Sequence, residues 1–188
     1  MKISPLRIPD VLEIVPARFS DHRGFFSEVW NRGTLAANGI ELEFVQDNHS
    51  LSREAGVIRG LHYQDVPAAQ AKLVRVVRGS IFDVAVDIRQ DSPTFGKWVG
   101  ATLSAEAWNQ LLVPEGFAHG FMTLEPDCEV LYKVSAPYSR DHDRAIRWDD
   151  PAIGIDWPRV GSGMPILSDK DGNAPLLADA VSGFQHRA

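Results

Sequence analysis

The chain has 188 residues, 44% hydrophobic and 23% charged, with a formal net charge of −6, a balance that suits one globular domain and excludes a disordered or fibrous chain. The acidic total speaks against a nucleic-acid duplex as partner, because a phosphate backbone needs a surplus of Lys and Arg on one face. The single cysteine, Cys128, allows no internal disulfide, and no apolar run reaches the roughly 20 residues that span a bilayer; with no secretory h-region in the first fifteen residues, a cytoplasmic location and no membrane partner are expected.

Taken in chain order, the first periodic segment is a weak helical one, Asn31–Asn38. Short β-rich stretches closed by turn residues follow: Glu43–Ser50, Val57–Gln64, Lys72–Val77, Ile81–Ile88, Lys97–Leu103, Gln110–Val113, His119–Leu124 and Cys128–Ser135. Ile81–Ile88 alternates most clearly, with Phe82, Val84, Val86 and Ile88 on one face and Asp83 and Asp87 on the other. Arg78-Gly79-Ser80 reads as a tight hairpin turn, and Asp91–Thr94 and Val113–Gly116 read as loops. A second weak helical segment, Ala174–Val181, closes the chain. No internal repeat or linker divides it, so residues 1–188 are expected to form one all-β domain, a sandwich or barrel with a few short helices.

Several residue patterns point to chemistry. Pro114-x-Gly116-x-x-His119 resembles the second motif of cupins, whose double-stranded β-helix (jelly-roll) barrel presents a histidine at its mouth. Metal-binding cupins also need a His-x-His and a Glu in the first motif, since a divalent metal requires at least three converging ligands. Here the corresponding residues are His62-Tyr63-Gln64, so no metal is expected and the mouth is left with acid–base chemistry. His62 is the residue suited to a base near neutral pH. Lys72 shares a strand face with Val74 and Val76, and an inward lysine needs an anionic partner. Tyr132 lies between Val130 and Val134 on an apolar face, where a phenol either packs or delivers a proton.

Together these segments resemble the dTDP-4-dehydrorhamnose 3,5-epimerase family. The resemblance runs from about Ile14 to Asp171 through Phe19-Ser20-Asp21-His22-Arg23-Gly24-Phe25-Phe26-Ser27-Glu28, Gln46-Asp47-Asn48-His49-Ser50, Arg59-Gly60-Leu61-His62-Tyr63-Gln64 and Lys72-Leu73-Val74-Arg75-Val76. It continues through Pro114-Glu115-Gly116-Phe117-Ala118-His119, Tyr132-Lys133-Val134, Trp148-Asp149-Asp150-Pro151 and Leu167-Ser168-Asp169-Lys170-Asp171. It implies a cupin-like barrel that inverts carbons 3 and 5 of a dTDP-linked 4-keto-6-deoxyhexose without a cofactor, in deoxysugar biosynthesis. His62 is the implied base, Asp171 its carboxylate partner, Tyr132 the acid on the opposite face, and Lys72 the cation beside the keto oxygen, with His119 donating nearby. Arg23, Glu28, Gln46, Asp47, Asn48, Arg59 and Lys170 are implied contacts to the nucleotide-sugar, and Tyr138 is a candidate to stack on its base. Asp143 stands where the family carries Glu in a ligand-contacting role, one methylene shorter in reach. The resemblance further implies a homodimer in which N-terminal strands cross, so that Arg23 and Glu28 serve the neighbouring subunit. Single-position epimerisation, a 3,4-ketoisomerase, and a non-catalytic cupin that binds a sugar nucleotide remain as alternative readings.

Overall fold

Strands β1 (Lys2–Pro5) and β2 (Leu12–Val15) pair antiparallel, as do β3 (Phe19–Asp21) and β4 (Gly24–Phe26), before the short helix α1 (Arg32–Ala36). The computed structural model describes residues 1–161, 163–180 and 182–186. There follow β5 (Gln46–Ser52), β6 (Ile58–Gln64), β7 (Lys72–Arg78), β8 (Ser80–Asp87), β9 (Trp98–Ser104), β10 (Gln110–Val113), β11 (Phe117–Thr123), β12 (Cys128–Val134) and β13 (Asp143–Ala145). A one-turn helix, α2 (Asp169–Gly172), comes next.

One sheet runs β1-β2-β10-β7-β12-β5 and the other β13-β6-β11-β8-β9, every pairing antiparallel. From β5 onward the chain changes sheet at each connection except β8 to β9, β9 itself being followed by a crossing to β10. This is the jelly-roll barrel expected from the sequence. Between the sheets, Val74, Val76, Leu111, Val113 and Val130 from one side meet Ile81, Ala85, Val99, Phe117 and Phe121 from the other. Each fully buried side chain of this kind contributes about 1.5–3 kcal/mol.

One expectation is corrected here. Arg78-Gly79-Ser80 is not a hairpin turn: β7 and β8 lie in different sheets, and Gly79, at φ +78°, turns the chain across the barrel wall. A Cβ there would lie 2.6 Å from Cys128 Sγ, so the corner needs glycine. The alternation expected on β8 is present, and both of its faces are buried. Val84, Val86 and Ile88 pack outward against Ile146, Ile153 and Phe184, while Asp83 and Asp87 are wholly buried on the same face as Ile81 and Ala85. The later part of the chain covers the outside of the five-stranded sheet, so both faces of β8 are interior.

Asn31 caps α1 through the Thr34 N–H, as its residue type suggests. The segment beginning at Ala174 instead holds only a three-residue 3₁₀ turn, Leu177–Asp179, and Val181 lies outside the described residues. Pro175 supplies no N–H, and its carbonyl accepts from Arg147 N, which ties the segment to the barrel as extended chain.

Candidate active site

Strand alternation gathers the site. On β7, Lys72 shares the interior face of Val74 and Val76; on β12, Tyr132 shares that of Val130 and Val134. On the opposite sheet His62 of β6 and His119 of β11 are direct cross-strand partners. Their strands approach so closely at Gly60 that a Cβ there would fall 2.5 Å from the Gly120 Cα. Gly60 also sits at φ +133°, a conformation L side chains rarely adopt.

These four side chains line a cavity of about 410 Å³ together with Arg59, Asp171 and the apolar wall of Val57, Ile58, Phe121, Ile166 and Leu167. A second cavity of about 440 Å³ adjoins it, sharing His62, Lys72 and Tyr132, and is lined by Gln46, Asn48, Tyr138, Asp143 and Lys170.

Within the first cavity, His62 Nε2 lies 2.5 Å from the Asp171 carboxylate, on α2. Ser168 N-caps that helix by accepting from Asp171 N. Burial would raise the Asp171 carboxyl, but His62, Ser168 and the Gly60 N–H together hold it below the usual carboxylate range. A carboxylate at Nε2 requires the proton on that nitrogen, so the neutral ring's lone pair is on Nδ1. Lys72 is 8% exposed and donates to the His62 carbonyl at 3.2 Å. Burial pulls its ammonium down from 10.5 to about 8, against the opposing fields of Asp83 and Asp143. The Tyr132 phenol is raised, chiefly by burial, with Arg59 opposing and Asp143 adding to the shift. It is therefore an intact proton donor at neutral pH.

The second cavity is polar. Gln46 donates to Asn48 at 2.8 Å and accepts from the Tyr138 N–H at 3.1 Å. Lys170 donates to Asp143 at 2.5 Å, and the Tyr138 hydroxyl donates to the same carboxylate oxygen at 3.3 Å. At the mouth, the Arg59 guanidinium is held by Ser52 Oγ and the Leu51 carbonyl, both at 3.1 Å.

Three residues named from the sequence stand apart. Arg23 is at the tip of the β3–β4 hairpin, paired with Asp21 at 2.6 Å. Glu28 accepts from Asn31 outside either cavity. Asp47 alternates with Gln46 and Asn48 and so faces the other way, into an ion pair with Lys133 at 2.9 Å. Sequence reading missed Asp83, wholly buried with both carboxylate oxygens 3.0 Å from His119 Nε2. Its signal was present in the shared parity with Ile81 and Ala85, which marks an interior face. Among the described residues, no three His, Cys, Asp or Glu side chains converge as a metal site would require.

The family model for dTDP-4-dehydrorhamnose 3,5-epimerase matches residues 5–179. The chain belongs to that family. It is an epimerase. A dTDP-4-dehydrorhamnose 3,5-epimerase of Sinorhizobium fredii is 52% identical over 186 residues, 99% of this chain and 94% of that protein. The epimerase of Bacillus anthracis str. Ames, solved with TDP and PPi bound, is 52% identical with a TM-score of 0.89, covering 93% of this chain and 98% of that one. The dTDP-6-deoxy-D-glucose-3,5-epimerase of Legionella pneumophila Philadelphia 1, in complex with dTDP-4-keto-L-rhamnose, has a TM-score of 0.93 at 42% identity, covering 100% of this chain and 99% of that one.

Proposed function

We propose that this epimerase inverts carbons 3 and 5 of dTDP-4-dehydro-6-deoxy-D-glucose, giving dTDP-4-dehydro-L-rhamnose, by proton removal and return. The observation that carries the reading is that His62, backed by Asp171 at 2.5 Å, and Tyr132 line one cavity with Lys72. The ketone at carbon 4 acidifies both neighbouring carbons, so His62 Nδ1 takes a proton from one face and leaves an enolate. Lys72 lies where that charge develops, and Tyr132 returns a proton to the opposite face. The polar second cavity receives the nucleotide, with its Lys170 and, from the adjoining first cavity, Arg59 facing the diphosphate and Tyr138 beside the base.

Incubation in deuterated water tests this directly: the epimerase is expected to place deuterium at carbons 3 and 5 of the recovered sugar. Absence of label at both carbons, with folded protein and bound nucleotide, sinks the reading. In the Tyr132→Phe variant, product formation is expected to fall about 10²- to 10⁴-fold while some deuterium still washes into unreacted substrate. Unchanged product yield would remove Tyr132 from the acid role.

We further propose that the protein acts in the cytoplasm as a homodimer through the β3–β4 hairpin, which leaves Phe19, Phe25 and Phe26 at 65%, 52% and 71% exposure. Large exposed aromatics clustered on one hairpin outside the two main sheets favour a protein partner. Arg23 at its tip and Glu28 just beyond then complete the neighbour's nucleotide site. Sedimentation equilibrium is expected to give a dimer for the wild type and a monomer for Phe26→Glu. A monomeric wild type at micromolar concentration rules the arrangement out.

A further inference from the structure

His119 forms its hydrogen bonds through Nε2, to both oxygens of Asp83 at 3.0 Å, and its Nδ1 has no partner among the described residues. Asp83 is wholly buried and His119 is 6% exposed, yet His119 lines the same cavity as Lys72. A buried carboxylate without a cation is very costly, and the groups in reach to compensate it are His119 and, through space, Lys72. If Nε2–H donates to Asp83 and the ring is neutral, Nδ1 carries a lone pair, which would repel a developing enolate oxygen. Only the imidazolium can donate from Nδ1.

We propose that Asp83 is a positioning residue for the epimerase: it holds His119 as an imidazolium with Nδ1–H directed at the keto oxygen, and its charge keeps Lys72 cationic beside it. The inference rests on the reaction proposed above. It gives that reaction a simple charge balance. Lys72, His119 and Asp83 together carry one surplus positive charge, which the enolate neutralises as it forms. The second positive charge, appearing on His62 as it takes the proton, is matched by Asp171. Each developing charge thus meets a preformed partner, so the stabilisation is larger in the transition state than with ketone bound. Other ionisable groups facing this cluster are Arg59 and His62 on β6, Tyr132 on β12, Asp171 on α2 and, on the Lys72 side, the ion-paired Asp143 of β13 and Lys170 of α2, whose opposite charges offset each other. Among the described residues, the Asp83 carboxylate is held by His119 and by none of these.

Two measurements test the proposal. In wild-type protein with ¹⁵N-labelled histidine rings, His119, assigned by the signals lost in His119→Gln, is expected to show both ring nitrogens protonated at pH 7. In Asp83→Asn, the rate of deuterium incorporation is expected to fall about 10²- to 10³-fold, the scale of one lost oxyanion donor. Affinity for dTDP alone should be retained, and the alkaline limb of the pH–rate profile should move to lower pH because Lys72 loses the larger of its two supporting anions, Asp143 remaining. A purely structural aspartate would lower the amount of folded enzyme without moving that limb. A lone-pair nitrogen on wild-type His119 at pH 7 overturns the proposal, as does a folded Asp83→Asn variant with the parent rate and pH limb. The ring measurement needs no variant and decides the matter should Asp83→Asn fail to fold. A wild type that takes up no deuterium would sink the parent reaction; uptake that is indifferent to Asp83 sinks only this inference.

Discussion

Replacing His62 with alanine is expected to lower deuterium incorporation and epimerisation by about a thousandfold or more while dTDP still binds. General-base groups contribute typically 10²–10⁴-fold, and of the two imidazoles lining the first cavity His62 is the one held by Asp171, His119 being held by Asp83 in the donor role proposed above. The nucleotide-facing residues Gln46, Asn48, Tyr138 and Lys170 line the adjoining cavity, so binding of dTDP should be little changed. Asp171→Asn is expected to be partly as harmful and not additive with His62→Ala, because the carboxylate acts only through the ring. Solvent exchange in the single and double variants, with dTDP affinity measured alongside, decides the point. Exchange near the parent rate in His62→Ala would take the base role from this residue.

The second large effect joins activity to stability at Lys72. Its ammonium titrates near 8 in the folded chain against 10.5 for an ordinary lysine, burial being the main cause. Between those values the unfolded chain holds a proton that the folded chain lacks, so this residue makes stability rise with pH across that window. Below about 8 the fold bears the full cost of the buried cation, on the order of 3 kcal/mol. Lys72→Met is therefore expected to raise the melting temperature at pH 7 by roughly 5–10 °C, an advantage that narrows toward pH 10. The same variant should lose about 10²- to 10³-fold in epimerisation, since the enolate loses its cation. In the wild type, deprotonation of Lys72 is expected to set the alkaline limb of kcat/KM near pH 8. Thermal melts at the two pH values, paired with rates, check both halves. A variant that melts lower at pH 7 contradicts the electrostatic reading.

Opposing demands of this kind explain why some of the site was legible from residues and some was not. Tyr132 could be read onto an interior face because it lies between Val130 and Val134, and Lys72 because it shares its parity with Val74 and Val76, a strand's side chains repeating with period 2. The same rule could have set Asp47 against Gln46 and Asn48. Treating that short segment as a block hid the difference, and the structure turns Asp47 toward Lys133. On β8, the alternation of Phe82, Val84, Val86 and Ile88 against Asp83 and Asp87 was visible, but nothing local indicates that a distant segment will cover the outer face and leave both faces interior. Gly79 was correctly seen as a turn, yet the residues around it look alike whether the chain reverses within a sheet or crosses to the other one.

The sequence by itself determined the all-β class, eight of the barrel strands to within a few residues, the inward faces of β7 and β12, and the family. These rest on local periodicity, turn chemistry and ordered motifs, which are properties of neighbouring residues. Tertiary structure alone decided which strands share a sheet and that His62 and His119 stand side by side. It also brought Asp171, 109 positions from His62 along the chain, to that ring, and buried Asp83 beneath the cavity. Those placements follow from long-range pairing and burial, where the energy of a contact depends on what the rest of the chain packs against it, so no local window contains them.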